Sequence, residues 1–402
     1  LPVGEGVRQG RCGRRGRGLI DSGPDHPGAR LGSGPVEAAS FEAAGLYDPE
    51  APDAKERLAL LRWLTERGFS MAEIADADAD PALTLEALAG ARAIRRGAVH
   101  STREIAVLLG VTDEAVAQML LAAGYAQADP DEPVLTDVDL EALRSFVGAA
   151  EVFGQEPVEQ FARVGAAAAA RVAEAATSLF ITEIEQPLIE DEASPIVLAQ
   201  ANLAASMSLD TVPTVMEALL RSQVQAANRR ARLARQDGDE ATVAIGFIDL
   251  VGFTPLSRRL DDAELSEVLD GFEGRASDIA TQHDGRVVKH IGDEVMFVAV
   301  DPNAACEIAL ELVDAVRDLG RGVRPRGAVA FGPVLQRGGD YYGPTVNLAS
   351  RVAELAVPYE ILVTEELVQS AEHWTLHFAP AGRRMLKGFD EPVTLWELAR
   401  RP

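Results

Sequence analysis

Residues 247–254 read Phe-Ile-Asp-Leu-Val-Gly-Phe-Thr, and a second acid follows in Lys289-His290-Ile291-Gly292-Asp293. The apolar run at 243–248 reads as a strand leading to Asp249. Leu265, Val268, Leu269, Phe272, Ala276 and Ile279 then repeat with a 3.6-residue period, the face of a helix, and Asp284-Gly285 turns the chain. Short strands at 286–290 and 294–300 are joined by Gly292-Asp293. A helix at about 303–319, a strand at 326–331 and a helix through Asn347 and Arg351 complete the series. The order is βαββαβ, the ferredoxin-like arrangement. Two carboxylates, Asp249 and Asp293, thus lie beside glycine turns in one compact segment, which suits Mg²⁺ ions holding a nucleotide triphosphate.

Upstream the pattern is helical almost throughout. Asp53-Ala54-Lys55-Glu56 reads as a capping box opening a helix with Leu58, Leu61 and Leu64 on one side. Further helices are expected near 82–96, 101–123, 137–151 and 156–185. Pro213 stands at the start of a long helix striped by Val212, Val215, Leu219 and Leu220. Arg229, Arg230, Arg232 and Arg235 complement its dipole before Gly238 stops it. Residues 1–36, rich in Gly, Arg and Pro, bury too little to offset the entropy of ordering and are expected to be a disordered leader. The chain is therefore expected to be α+β: leader 1–36, an all-helical domain 37–210, a connector helix 211–238 and the βαββαβ domain 239–402.

A chain of 402 residues exceeds what one core usually serves, and 47% hydrophobic content is ample for two. The net charge is −25, although the leader carries six arginines against three acids, so the body is more acidic still. Such a body repels nucleic acid and anionic lipid. Cys12 and Cys306 lie in unrelated contexts, as in a reduced, cytoplasmic protein. The most apolar stretch, 164–181, contains Arg171 and Glu174 and makes a poor membrane span. The start of the chain lacks the apolar region of a signal peptide.

Taken with Asp340-Tyr341-Tyr342-Gly343 and Asn347-Leu348-Ala349-Ser350-Arg351, these motifs resemble those of the class III nucleotidyl cyclases. The whole arrangement is similar to actinobacterial adenylate cyclases in which a helical N-terminal domain restrains a catalytic one. The resemblance implies a homodimer with two composite sites that converts ATP to 3′,5′-cyclic AMP and pyrophosphate with Mg²⁺ or Mn²⁺, two ions per site. It assigns Asp249, Asp293 and the backbone carbonyl of Leu250 to the metals, and Phe253 and Thr254 to the phosphates. From the opposing protomer, Lys289 and Asp340 face the purine, Asn347 orients the ribose and Arg351 stabilises charge at the α-phosphorus. Lys387, in Leu386-Lys387-Gly388, is a candidate for the terminal phosphate, where the local register departs from the family. A lysine donor and a carboxylate acceptor match N1 and N6 of adenine, and guanine presents the opposite pattern, so ATP is expected over GTP. The helical domain is expected to receive a proton, lipid or small-molecule signal.

Two other readings compete. Ile291-Gly292-Asp293-Glu294-Val295 resembles the Gly-Gly-Asp-Glu-Phe loop of diguanylate cyclases, with Ile291 and Val295 departing from it, and it leaves Asn347 and Arg351 without a role. Residues 101–125 carry the apolar pattern of a helix-turn-helix. Its second helix begins with Asp113 and Glu114 and has no Lys or Arg, which favours packing over DNA binding.

Overall fold

The computed structural model describes residues 37–94, 97–235, 240–319, 323–372 and 374–401. The leader expected at 1–36 and the stop expected at Gly238 lie outside the described residues. Helices α1 (Ala38–Ala43), α2 (Ala54–Glu66), α3 (Met71–Ala79) and α4 (Leu85–Ile94) come first. They are followed by α5 (Thr102–Leu109), α6 (Asp113–Ala122), α7 (Asp137–Phe153) and α8 (Gln155–Phe180). A π-helical turn at Ile181–Glu185 joins α8 to α9 (Gln186–Glu190). Then α10 (Pro195–Ser208) leads through a 3-10 turn to α11 (Val212–Leu233).

The helix expected after Asp53 forms, but its capping box does not. Asp53 has ψ of 11°, outside the extended conformation that aims a side chain at the first free N–H groups, and it makes no side-chain cap. Capping boxes close instead at Ser70 with Glu73, Ser101 with Glu104 and Thr136 with Asp139. Helices α5 and α6 form a pair bent by 109°, with Gly110 left-handed between them. Ile105, Ala106, Val116, Met119 and Leu120 bury against Leu135, Leu140 and Leu143, and α6 also packs on α8. The pair is thus part of a helical core. The connector helix ends at Leu233, short of the expected 238. Among the described residues one helical stretch, Gln155–Glu190, is long and apolar enough to cross a membrane by length and composition. It is the stretch that Arg171 and Glu174 interrupt.

By contact density the chain divides into two units. Among the described residues one comprises 37–89 with Glu192–Gln200, and Phe41, Leu60, Leu61, Leu64 and Ile74 are buried in it. The other comprises Gly90–Asp191 with the chain from Ala201 onward, and it holds the sheet.

That sheet begins with β1 (Thr242–Val251), α12 (Phe253–Ser257), α13 (Asp262–Gln282), β2 (Arg286–Ile291), β3 (Glu294–Ala299), α14 (Pro302–Leu319) and β4 (Arg324–Pro333). The hairpin β5 (Leu335–Arg337) and β6 (Asp340–Tyr342) follows, then α15 (Pro344–Leu355), β7 (Ile361–Thr364), α16 (Glu365–Ser370), β8 (Leu376–Arg384) and β9 (Val393–Arg400). The strand order is β2-β3-β1-β4-β7-β9-β8. Its first four strands pair antiparallel in the expected ferredoxin-like order; β7 joins β4 in parallel, and the β8–β9 hairpin extends the sheet.

Strand β1 is covered on both faces because its residues alternate with period two. Ala244, Ile248 and Leu250 bury with Phe272 of α13 and Ile308 and Leu312 of α14; Val243, Ile245 and Phe247 bury with Ala349 and Val352 of α15. Gly246 is needed where Phe297 crosses the strand: a Cβ there would lie 2.0 Å from the ring. Central placement fixes the end of β1 rigidly, and that end carries Asp249.

Candidate active site

Asp249 is the eighth residue of β1 and sits opposite Glu294 on β3 and Arg326 on β4. Gly252, left-handed at φ 93°, ends the strand and turns the chain into α12. The second acid arrives on the β2–β3 turn, where Gly292 at φ 64° lets the chain reverse. The Leu250 N–H donates to the Asp293 carbonyl at 3.2 Å, which pins that turn beside the first acid. The two acids singled out in the sequence are therefore neighbours across 44 residues of chain, and the Leu250 side chain is buried beneath them.

The surroundings are more charged than the motifs alone indicate. Arg326 donates from Nε to Asp249 Oδ2 at 2.8 Å, and its Nη2 lies 2.8 Å from the same oxygen. Its Nη1 donates at 3.1 Å to the carbonyls of Glu354 and Ala356, at the C-terminus of α15. Burial raises the Asp293 carboxyl above the usual range and the charge of Asp249 adds to this; a hydrogen bond with its own backbone and the charge of Arg326 oppose it. Glu294 is pushed up to about 7, by burial first and then by Asp249, Asp293 and Glu354. Three carboxylates crowd one arginine, leaving an excess of negative charge.

That excess fits a divalent cation. Mg²⁺ and Mn²⁺ favour hard oxygen ligands, and Mg²⁺ typically takes one or two carboxylates with the rest from substrate phosphates and water. Among the described residues no group of three or more His, Cys, Asp or Glu is arranged to hold a metal ion by itself. A stability prediction follows for the metal-free protein. Glu294 holds a proton in the folded chain up to about 7, whereas the unfolded carboxyl releases it near the ordinary 4.5. Between those values the folded state binds more protons, so stability falls as pH rises through the window. In chelator, urea denaturation should show this slope, and Glu294→Gln should flatten it; an unchanged slope would contradict the assignment.

The remaining predicted residues fall in three places. Lys289 on β2 donates to Asp340 on β6 at 2.6 Å, and the other Asp340 oxygen accepts from the Tyr341 N–H at 2.7 Å. Asn347 and Arg351 lie one turn apart on α15. Asn347 is exposed, and Arg351 Nη1 is 2.5 Å from Glu354 Oε1. Lys387 is exposed in the turn between β8 and β9, next to Gly388 at φ 88°. Phe253 is half-buried at the start of α12; the side chain of Thr254 lies outside the described residues. Among the described residues no direct hydrogen bond or ion pair links the acid pair to Lys289–Asp340, to Arg351 or to Lys387. Asp249 and Asp293 thus form one group, which Arg326 ties to the Glu354 carbonyl, while the Glu354 side chain pairs with Arg351.

Arg326, Glu294 and Glu354 were not singled out from the sequence. Arg326 reads there as an ordinary first strand residue, and only the β1–β4 register reveals its partner. Cys306 is a fully buried core thiol, and burial raises it well above its ordinary range.

A ferredoxin-like sheet with two strand-end acids, and a polar helix one strand away, defines the class III nucleotidyl cyclase fold. The adenylate and guanylate cyclase catalytic domain family matches residues 236–399, and the adenylate cyclase regulatory domain family matches residues 41–227. An uncharacterized protein of Mycobacterium tuberculosis is 32% identical over 373 residues, covering 90% of this chain and 94% of that one. An adenylate cyclase of Streptomyces coelicolor is 33% identical over 276 residues, 65% of this chain and 70% of its own. A pH-sensitive adenylate cyclase of M. tuberculosis is 30% identical over 358 residues, 86% and 88% of the two chains. The chain belongs to the class III adenylate cyclase family, in the branch that joins a helical regulatory domain to the catalytic one.

Proposed function

We propose that this chain converts ATP to 3′,5′-cyclic AMP and pyrophosphate at two sites shared between the subunits of a homodimer. The observation that carries the reading is the placement of Asp249 beside Asp293 at the end of β1, within one turn of backbone from Gly252. Asp249, Asp293 and the Leu250 carbonyl would hold Mg²⁺ or Mn²⁺. Held there, Mg²⁺ or Mn²⁺ would supply Lewis acidity to the ribose 3′-hydroxyl and positive charge to the triphosphate. The chain's own groups do the rest. Arg326 holds one Asp249 oxygen and leaves the other free. Lys289 keeps Asp340 in place while retaining two further N–H donors, so the pair offers a donor to adenine N1 and an acceptor to N6 without separating. Arg351, from the second subunit, leaves Glu354 to meet the α-phosphate, Asn347 orients the ribose, and Lys387 takes the terminal phosphate. Cationic groups aimed at the developing charge lower the barrier by about a few kcal/mol.

Two features support a dimer. The acid pair makes no direct hydrogen bond to Lys289, Asp340 or Lys387 among the described residues, and α11 leaves Val215, Leu219 and Leu220 more than half exposed along one stripe. A stripe of that kind seeks a partner helix. The direct test is ATP with Mn²⁺, assayed for cyclic AMP and pyrophosphate. Formation of neither, or equal turnover of GTP to a dinucleotide, would overturn the reading.

The division into a helical regulatory segment (37–210), a connector (211–238) and a catalytic segment (239–402) belongs to the same proposal, as does restraint of the last by the first. It is supported by helix α8, whose Val164 stands beside Gly338 at the tip of the hairpin carrying Asp340. A fragment beginning at residue 205 should then turn over ATP several-fold faster than the full chain. Equal rates would remove the restraint. A proton or lipid signal acting on the helical segment remains part of the proposal, and the pH-sensitive relative favours the proton.

A further inference from the structure

The sequence analysis read the arginines of the connector helix only as partners of its dipole. In the structure they do more. The C-terminal part of α11 borders β2 and the β5–β6 hairpin, and between them is a cavity of about 250 Å³ walled by Gln223, Arg230 and Arg235 from the connector, Arg286 from β2, and Gln336 and Tyr341 from the hairpin. Among the described residues no carboxylate lines it, in a chain whose net charge is −25.

The three lining arginines are not equivalent, and Arg235 is the exposed one. Arg286 is built in: Nη2 donates to the Gly339 carbonyl at 2.6 Å, and the guanidinium stands 5.5 Å over the Tyr341 ring. Arg229, one residue earlier on α11, is satisfied by Asp284 at 3.1 Å. Arg230 is half-buried and has no hydrogen bond or ion pair among the described residues. Burial, and next the charge of Arg286, hold its guanidinium below the usual arginine range, with Tyr341 and the Asp284 carboxylate opposing more weakly. A buried or half-buried cation facing a second cation is unfavourable unless an anion completes it. The larger cavity on the other side of Arg230, about 820 Å³, is also lined by Asp284, Asp301 and Glu240, and so has no such excess.

We infer that the cavity between α11, β2 and the β5–β6 hairpin is a binding site for a compact phosphate-bearing anion, held by Arg230, Arg235 and Arg286. Guanidinium groups match phosphate oxygens in pairs, and Gln223, Gln336 and the Tyr341 hydroxyl add neutral donors. The volume is smaller than a typical pocket for a drug-sized ligand, which points to an anion of phosphate or pyrophosphate size. An occupied site would tie the connector to the hairpin that carries Asp340. The inference does not depend on the cyclase reading, because binding is measured without turnover.

The test uses the full chain in chelator, with calorimetry and thermal melts in inorganic phosphate, pyrophosphate and AMP, against sodium chloride at matched ionic strength. Saturable binding at one site per chain is expected, weakened by about tenfold or more in Arg230→Gln and Arg235→Gln, since each removes a charge-assisted hydrogen bond. Arg230→Lys should retain part of it, and Arg351→Ala and Lys387→Ala all of it. Tighter binding of AMP than of phosphate would identify a nucleotide as the source of the phosphate, and tighter binding of pyrophosphate the free anion. A melting shift that chloride reproduces, or binding that survives Arg230→Gln and Arg235→Gln, would overturn the assignment.

Discussion

Asp249→Ala and Arg351→Ala chains, each reduced about 10²- to 10³-fold in turnover, should regain activity when mixed. In the proposed head-to-tail dimer the two residues of one chain would serve different sites. A mixed dimer therefore keeps one site in which both groups are intact. Random exchange makes half the dimers mixed, each with one working site of two, so about a quarter of the parent rate is expected. Within one chain Arg351 is held by Glu354 and Asp249 by Arg326, and neither makes a direct hydrogen bond to the other. The measurement is cyclic AMP formation after verified subunit exchange. No recovery would mean that each chain builds its site alone.

Reversing the Lys289–Asp340 pair should reverse the choice of base. Lys289→Glu combined with Asp340→Lys keeps an ion pair between β2 and β6 but exchanges donor and acceptor. Adenine offers an acceptor at N1 and a donor at N6, while guanine has a donor at N1 and an acceptor at O6. A site built to hydrogen-bond one pattern rejects the other by up to roughly 10⁴, because its own polar groups are left unpaired. The double variant should lose at least about 10²-fold in kcat/KM for ATP and gain on GTP. Its melting temperature should barely change, since a partly exposed pair of this kind contributes about 1 kcal/mol or less. An undiminished preference for ATP would show that other groups read the base.

The βαββαβ order could be read from the chain because each element carries its own signal. Residues 265–279 repeat at 3.6, the strand runs are bounded by glycine, and the expected first four strands appear in the expected antiparallel arrangement. What lies beyond them was not legible. Strand β7 is only Ile361–Thr364, too short for a periodic pattern, and it gains its place through parallel pairing with β4. The Asp53 capping box failed for a related reason. A motif of residue types does not set the backbone angle at its first residue.

The sequence by itself determined which chemistry is present: the two acids beside glycine turns, the lysine and aspartate suited to adenine, and the Asn347–Arg351 spacing of one helical turn. These depend on local spacing and residue type. Tertiary structure decided what each group faces. Asp249 meets Arg326 across 77 residues, Lys289 meets Asp340 across 51, and Arg286 and Arg230 meet across one cavity wall. Strand register and helix packing set these meetings, and they arise from burial of whole faces, a sum over many side chains that no short motif contains.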